Sequence, residues 1–404
     1  MNSTEPVAAR SLNVGRGNSS AAERRLLIVT ESLGVGGTES HLVRILPRLA
    51  ASGLKVAVFC LAERGEQADV LEAHAVEVLA ASPKGTLERG HHHHPVLVAR
   101  AAARLFWSIR RWNPHIAHFY LPGPYLVGAP VAVATRVPVK IMSRRSLSDY
   151  QQSWPAVTRI ERVLHGAMDA LVGNSRAVVA QLNSECAAES KIRLIYNGID
   201  IVKPPNRCSA RRMLGLDDHE LIGLVVANLI PYKGHQDLLR GLGQVARQLP
   251  SPWRVLLVGR DEGLRPKLEC LARSEGIAHN VQFLGQRSDV SSLMAAADFG
   301  LLTSHEEGFS NVVIEAMASG LAMVVTSVGG NLDAVIEERT GLLVPPRDPT
   351  AIGEAVLRLA RDPNLRKTLG EAGRIRVERE FSIDRCAQAH RELYQALLAK
   401  RSID

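Results

Sequence analysis

The sequence predicts an α/β protein built from two doubly wound domains that face each other across a cleft. Three observations predict this. Short apolar strands alternate with helical stretches in two successive series, the pattern of parallel sheets with helices on both faces. The 404 residues suffice for two full cores. Aromatic residues are only 4% of the chain and apolar residues 46%, so the cores must rest on Leu, Val, Ile and Ala.

In the first series, residues 25–30 (RLLIVT) form an apolar strand, followed by the glycine-rich loop ESLGVGGTE. A helix begins near Thr38, with Leu42, Ile45, Leu46 and Leu49 at helical spacing and a kink expected at Pro47. Residues 55–61 read as the next strand. Residues 96–112 are helical and stop at Asn113-Pro114, before a short strand at 115–120. Two more strands follow at 170–173 and 192–196. The second series begins after Cys208, with strands at 221–227, 254–258, 281–284, 299–303, 322–326 and 341–344. Between the series, YNGIDIVKPPNR joins an Asn197-Gly198 turn to the stiff pair Pro204-Pro205, and so reads as a linker. Ligands of such sheets bind beyond the carboxyl ends of the strands, which puts the binding region in the cleft.

Composition narrows the function classes. Cys60, Cys186, Cys208, Cys270 and Cys386 are dispersed without a C-x-x-C pair, as thiols of a reducing cytosol would be. Residues 1–23 lack the apolar segment of a secretory signal and read as a disordered leader. No stretch reaches the roughly 18 apolar residues that span a bilayer. The run His91-His92-His93-His94 reads as an exposed polar loop. A net charge of +8 favours anionic partners such as nucleotides or lipid headgroups, while no nucleic-acid motif accompanies it. The helix at 100–112 mixes Arg100, Arg104, Arg110 and Arg111 with Phe106, Trp107 and Trp112. It reads as a packed helix with a solvated arginine face, a membrane-surface helix being the alternative.

Three loops point to chemistry. Gly36 and Gly37 follow a strand and open a helix, where backbone amides and the helix dipole suit a phosphate. Glu39 occupies the last position of a would-be G-x-G-x-x-G, so this is not a dinucleotide fingerprint. In VVANLIPYKGHQDLL, Asn228 and Lys233 lie on a strand-helix loop from which a lysine reaches phosphate as a point charge. In SHEEGFSNVVIEAMASG, Gly308 permits a turn and Ser310 or Asn311 caps a helix whose N-terminus is an anion site. Glu307 lies just before that terminus and Glu315 inside the helix. Two carboxylates repel phosphate but accept from hydroxyls, and a sugar nucleotide offers hydroxyls on both sides of its diphosphate.

With the Gly36-Gly37 loop, PHIAHFY, YNGID, PYKGH, the E-x7-E spacing, GGNLDAV and TGLLVPPRDP in this order, the chain resembles the retaining GT-B glycosyltransferases of family 4, the group 1 glycosyltransferases. The resemblance runs from about residue 25 to 400. It implies two Rossmann-like domains: an acceptor-side domain at 24–203 and a nucleotide-sugar domain at 204–383, with a helix at 384–404 crossing back to the first. It also implies that Glu307 contacts the transferred sugar, Glu315 the ribose and Lys233 the diphosphate. Gly36 and Gly37 would help from across the cleft. Gly308, Phe309, Ser310 and Asn311 belong to the donor site, and Leu284 and Arg287 lie on the loop against the base. Two departures stand out. The family's arginine before the motif lysine is Asn228, for which Arg287, Arg144 or Arg145 are the available stand-ins. The family's His-x-His strand end is His118-Phe119-Tyr120, leaving His118 as the acceptor-side candidate.

The expected reaction moves a hexose or N-acetylhexosamine from a nucleotide diphosphate sugar to a glycan or lipid-linked acceptor. It needs no cofactor or metal, in keeping with the lack of any Asp-x-Asp in the chain. The expected location is the cytoplasm, with peripheral attachment at the inner face of the membrane left open. A nucleotide-sugar epimerase of related fold and an inactive sugar-nucleotide-binding protein are the alternatives.

Overall fold

The computed structural model describes residues 24–34, 36–81, 95–147, 151, 154–185 and 188–401. The leader, the His91–His94 run and Cys186 lie outside the described residues. Among the described residues, thirteen parallel strands form two sheets. The first contains β1 (Arg24–Thr30), β2 (Leu54–Cys60), β3 (Val76–Ala80), β4 (Ile116–Tyr120), β5 (Val139–Arg144), β6 (Ala170–Gly173) and β7 (Ile192–Leu194), in the order β3-β2-β1-β4-β5-β6-β7. The second contains β8 (Leu221–Val226), β9 (Trp253–Val258), β10 (Val281–Gly285), β11 (Phe299–Leu302), β12 (Ala322–Thr326) and β13 (Leu342–Val344), in the order β10-β9-β8-β11-β12-β13. Both sheets reverse direction beside their first strand, the switch point where doubly wound sheets open a crevice. The expected α/β class and GT-B architecture are therefore what the chain adopts.

Each central strand is buried on both faces. Leu26, Leu27, Ile28 and Val29 are fully buried, as are Val324 and Val325, because helices cover both sides of each sheet. Two strands escape the sequence pattern. β3 is a short edge strand whose VEVLA is only partly buried after Val76. β5, not among the strands expected from the sequence, ends in the polar Ser143 and Arg144, yet both are buried. Arg144 is tolerated there because its guanidinium donates to Glu185 at 2.6 Å and Glu161 at 3.4 Å, both nearly inaccessible. Pro47 sits within the helix Gly37–Ala51 without ending it.

The chain passes between the domains twice, and the two passages are paired. Ile199 N–H donates to the Phe381 carbonyl at 3.0 Å, and Ile383 N–H donates to the Ile199 carbonyl at 2.8 Å. After the second passage the helix Ile383–Arg401 lies against Gly37–Ala51 and delivers Cys386, Leu393 and Tyr394 into the core of the first domain. Tyr196, Phe309 and Phe381 pack tilted and edge-on at the crossing, with centroids 5.3–5.5 Å apart. Gly198 is required by this close approach: a Cβ there would lie 2.6 Å from the Ile383 Cα and 2.7 Å from the Ser382 carbonyl oxygen. Gly198→Ala is expected to destabilise the protein by about 1–3 kcal/mol, the usual cost of overpacking. The measurement is the urea midpoint; an unchanged midpoint would mean that the passages have room to separate.

Candidate active site

The site is built where the carboxyl ends of both sheets face each other. In the second domain, the chain after β11 and the chain after β8 lock together. Gly234 adopts a left-handed φ of +70°, and any side chain there would overlap the Thr303 carbonyl oxygen. Thr303 Oγ1 donates to the Gly234 carbonyl at 3.1 Å, His305 N–H donates to the Tyr232 carbonyl at 2.7 Å, and the His305 ring pairs with Asp237 at 2.7 Å. These contacts bring Lys233 Nζ within 2.6 Å of Glu307 Oε1, which also accepts from Ser304 Oγ at 2.7 Å. The Glu307 backbone is held from behind. Its carbonyl accepts from Gly330 N–H at 3.1 Å, and the same carbonyl leaves no space for a side chain at Gly329.

Ser310 caps the helix Asn311–Ala318 through Oγ, which accepts from Val313 N–H at 3.4 Å. Asn311 then reaches across the cleft: its amide donates to the Gly37 carbonyl at 3.2 Å, and its Oδ1 accepts from Asn197 at 2.7 Å. Asn197 Oδ1 in turn accepts from Arg145 at 2.7 Å. The head of one helix, the head of the other and one guanidinium are thus joined in a single chain of hydrogen bonds. Gly308 lies against the other domain's backbone, because a Cβ there would overlap the Arg145 carbonyl oxygen.

Several expected site residues are placed differently. Glu315 does not stand open in the cleft; it pairs with Arg44 of the first domain at 2.7 Å. Phe309 is buried in the crossing's aromatic trio, so a donor can meet only its backbone. Arg287 is exposed and bound through Nε and Nη2 of its guanidinium to Asp289, at 2.8 and 2.7 Å. Leu284 packs on the core of the second domain. Asn228 is exposed and accepts from Arg260 N–H at 3.1 Å, bracing the neighbouring loop. Among the three arginines considered as stand-ins for the residue at 228, Arg144 and Arg287 are neutralised by carboxylates. Arg145 has none within ion-pair distance among the described residues, and it is the one connected to Asn311.

His118 corrects an expectation. It lies two residues short of the end of β4, fully buried, with its ring nitrogens 2.8 Å from Tyr394 Oη and 2.7 Å from Ser143 Oγ. It is a packed core histidine with no face toward an acceptor. Sequence reasoning missed the rest of its cluster, because His41 and His390 come from helices at opposite ends of the chain. The His118 ring lies 6.0 Å from His390, and His390 lies 6.2 Å from His41. Gly36 and Gly37 do open a helix, but Gly36 is extended (φ −168°) and the Glu39 carboxylate folds over it.

Residues 35–203 match the family described as Glycosyltransferase Family 4, and residues 207–376 match Glycosyl transferases group 1. A D-inositol 3-phosphate glycosyltransferase of Rhodococcus erythropolis is 30% identical, over 76% of this chain and 75% of its own length. The chain belongs to the group 1 glycosyltransferases. Another relative of this glycosyltransferase is the N-acetyl-alpha-D-glucosaminyl L-malate synthase of Bacillus anthracis, 24% identical over 74% of this chain and 78% of that one. The fold is shared with Anabaena Alr3699/HepE, crystallised with UDP and glucose: TM-score 0.78, 23% identity, 93% of this chain and all (100%) of that one. It is shared as well with the sucrose-phosphate synthase of Thermosynechococcus elongatus, at TM-score 0.79 and 23% identity, over 94% and 100% of the two chains.

The buried histidines give the glycosyltransferase an acid-sensitive core. Burial is the first cause that depresses His41, His118 and His390, the last to about 4, with the Arg145 charge adding to it. The unfolded chain keeps histidines near the ordinary value of about 6.5. It therefore binds more protons than the folded protein as pH falls below that value, and folded stability declines from about pH 6.5 toward 4. Neither ring nitrogen of His41 has a hydrogen-bond partner among the described residues. His41→Leu is expected to leave the thermal midpoint at neutral pH unchanged or higher, and to flatten the acid limb by one proton, about 1.4 kcal/mol per pH unit. An acid limb of unaltered slope would show that His41 does not stay neutral in the fold.

Proposed function

We propose that the protein is a retaining glycosyltransferase that moves a hexose or N-acetylhexosamine from a nucleotide diphosphate sugar to a glycan or lipid-linked acceptor. Its setting would be cell-envelope polysaccharide or glycolipid synthesis in the cytoplasm. One observation carries the reading: Lys233, the amides at the head of Asn311–Ala318 and the Gly36–Gly37 helix head converge on one cleft, tied across it by Asn311 and Gly37. Such a cleft suits a diphosphate between a sugar on one side and a nucleoside on the other. The names of the relatives support it: one is named for transfer to an inositol phosphate, another for transfer to malate, and HepE was crystallised with UDP and glucose.

The chemistry follows from charge. As the glycosidic bond breaks, negative charge grows on the departing diphosphate and must be met by preorganised donors. Lys233 can exchange the Glu307 carboxylate for phosphate, and the amides at the helix head need no rearrangement. Glu307, still bonded to Ser304, is then free to accept from a sugar hydroxyl. Arg145 takes the part of the guanidinium absent at Asn228, from the opposite domain. Because these cations can stabilise the leaving group, no metal is required, and transfer is expected to persist in EDTA. Retention corresponds to departure of the diphosphate from the face that the acceptor attacks.

The experiment is a panel of nucleotide sugars, incubated with and without cell-envelope extract, with free nucleotide followed over time. Acceptor-dependent release supports the proposal; donor isomerisation without acceptor, or binding without turnover, would replace it with an epimerase or a binding protein. Glu307→Gln should abolish transfer with little loss of donor affinity, since its charge matters most in the transition state. A kcat within a few fold of wild type would remove Glu307 from that role. Lys233→Ala should lower kcat/KM by roughly ten- to a hundredfold, the effect of one charge-assisted hydrogen bond of about 1.5–3 kcal/mol. A near-normal kcat/KM would assign the diphosphate to another cation.

A further inference from the structure

A second cavity lies in the first domain, separate from the diphosphate cleft. Its volume is about 490 Å³, within the roughly 300–1,000 Å³ of pockets that bury a whole small ligand. Leu61, Leu97, Val98, Leu126, Val127 and Val157 line it, and Glu31 is its one ionisable group among the described residues. The cavity opens at the carboxyl ends of β1, β2 and β4, where Glu31, Leu61 and Pro122 leave their strands. Glu31 is five residues before Gly36, so at most about 18 Å of extended chain separates the cavity from the helix head in the cleft. A wall this apolar is a poor fit for a small, highly hydroxylated or anionic acceptor. It would strip water from polar groups and return no hydrogen bonds.

The surface around the cavity has the matching chemistry. Three helices supply its walls: Pro95–Trp112, Pro122–Ala134 and Pro155–Ala167. Together they carry Arg100, Arg104, Arg110, Arg111, Arg159 and Arg162, and only one acid, Glu161, which is buried against Arg144. None of those six arginines pairs with a carboxylate among the described residues, whereas arginines on helices of the second domain do, as in Arg265–Glu269 and Arg374–Glu378. Large apolar side chains project between them. Trp107 is 70% exposed and Val163 77%, and Trp154, at the cavity's rim, is 55% exposed. On Pro95–Trp112 the exposed Val96, Arg100, Arg104, Trp107 and Arg111 follow one helical stripe, so cations and apolar groups share a face. Unpaired positive charge mixed with exposed tryptophan is the composition that binds anionic lipid.

We propose that the cavity receives the hydrocarbon end of a lipid-phosphate acceptor, with the arginine-bearing helices resting on the anionic membrane that holds it. This rests on the glycosyltransferase reading above and narrows its acceptor to an amphiphile. The hydrocarbon lies in the cavity, and its head group emerges at the strand ends beside Gly36 and Gly37. The solvated arginine face expected from the sequence is, on this assignment, the membrane face.

The test uses farnesyl phosphate below its micellar concentration as the lipid probe and inositol 1-phosphate as the polar one. Binding to the intact protein is followed by calorimetry, with uridine, guanosine and adenosine diphosphates titrated on the same preparations. Farnesyl phosphate should bind saturably and inositol 1-phosphate should not. Leu126→Gln should weaken lipid binding at least tenfold, and Trp154→Ala severalfold. Both variants should keep the wild-type nucleotide affinity. Trp107→Glu should reduce pelleting with phosphatidylglycerol vesicles and leave nucleotide affinity unchanged. Nucleotide binding without saturable farnesyl phosphate binding, or lipid binding unmoved by both cavity variants, overturns the inference and leaves the glycosyltransferase reading standing. Lipid binding with no nucleotide binding would sink the donor reading instead, and keep the cavity.

Discussion

Everything at the cleft depends on the backbone pairing of two chain passages. Ile199 exchanges hydrogen bonds with Phe381 and Ile383, and Gly198 lets the passages touch. Two strands of chain joined in this way restrict how the domains move past each other, leaving bending about the pair as the easy motion. Arg44 and Arg48 reinforce it from the helix Gly37–Ala51. Arg48 holds Asp200 on one passage and Asp384 at the start of the other, each at 2.6 Å, while Arg44 pairs with Glu315 across the cleft. The same helix therefore presents its head to the cleft and its flank to the hinge. Bending at the hinge and geometry at the Gly36–Gly37 helix head are mechanically one variable.

Arg145 apart, the site keeps its charges in internal pairs. Lys233 holds Glu307, Arg44 holds Glu315, and Glu39 covers Gly36. Lys233 and Glu307 are both mostly buried, where an uncompensated charge would be expensive. Pairing keeps both groups charged and in position at modest cost. A diphosphate entering such a site substitutes one anion for another on the lysine, instead of neutralising a bare cation. The net gain is smaller than the raw attraction, and specificity then rests on how well the displaced carboxylates find hydroxyls.

The strand-helix alternation made the fold legible, because parallel sheets bury their central strands on both faces and leave an uninterrupted apolar signal. β5 was hidden because its end carries Arg144, whose acidic partners Glu161 and Glu185 come from later in the chain. The loops at Lys233 and Glu307 were legible because turn glycines and caps are local signals. What the sequence hid is pairwise: that Glu315 meets Arg44, that Phe309 turns into the hinge, and that His118 is sealed under Tyr394. Each partner lies more than seventy residues away, and no spacing rule reports such a contact. Arg145, too, was marked out among three arginines only by a partner, Asn197, that no spacing rule reports.

The helix Ile383–Arg401 belongs by packing to the domain whose last strand is β7, yet the whole second domain is translated between them. Tyr394, Cys386 and His390 close a core that Leu26 and Ile28 begin. At about 5–20 residues per second, some 206 residues separate Ile195 from Arg401 and take roughly 10 to 40 s to synthesise. During that interval the first domain waits on the ribosome with the hydrophobic seat of its final helix uncovered. The second domain, continuous in sequence, can finish folding ahead of it. The core begun first in the chain is thus the one closed by its last helix. The surface left waiting is the flank of Gly37–Ala51 and β5 that the last helix eventually covers.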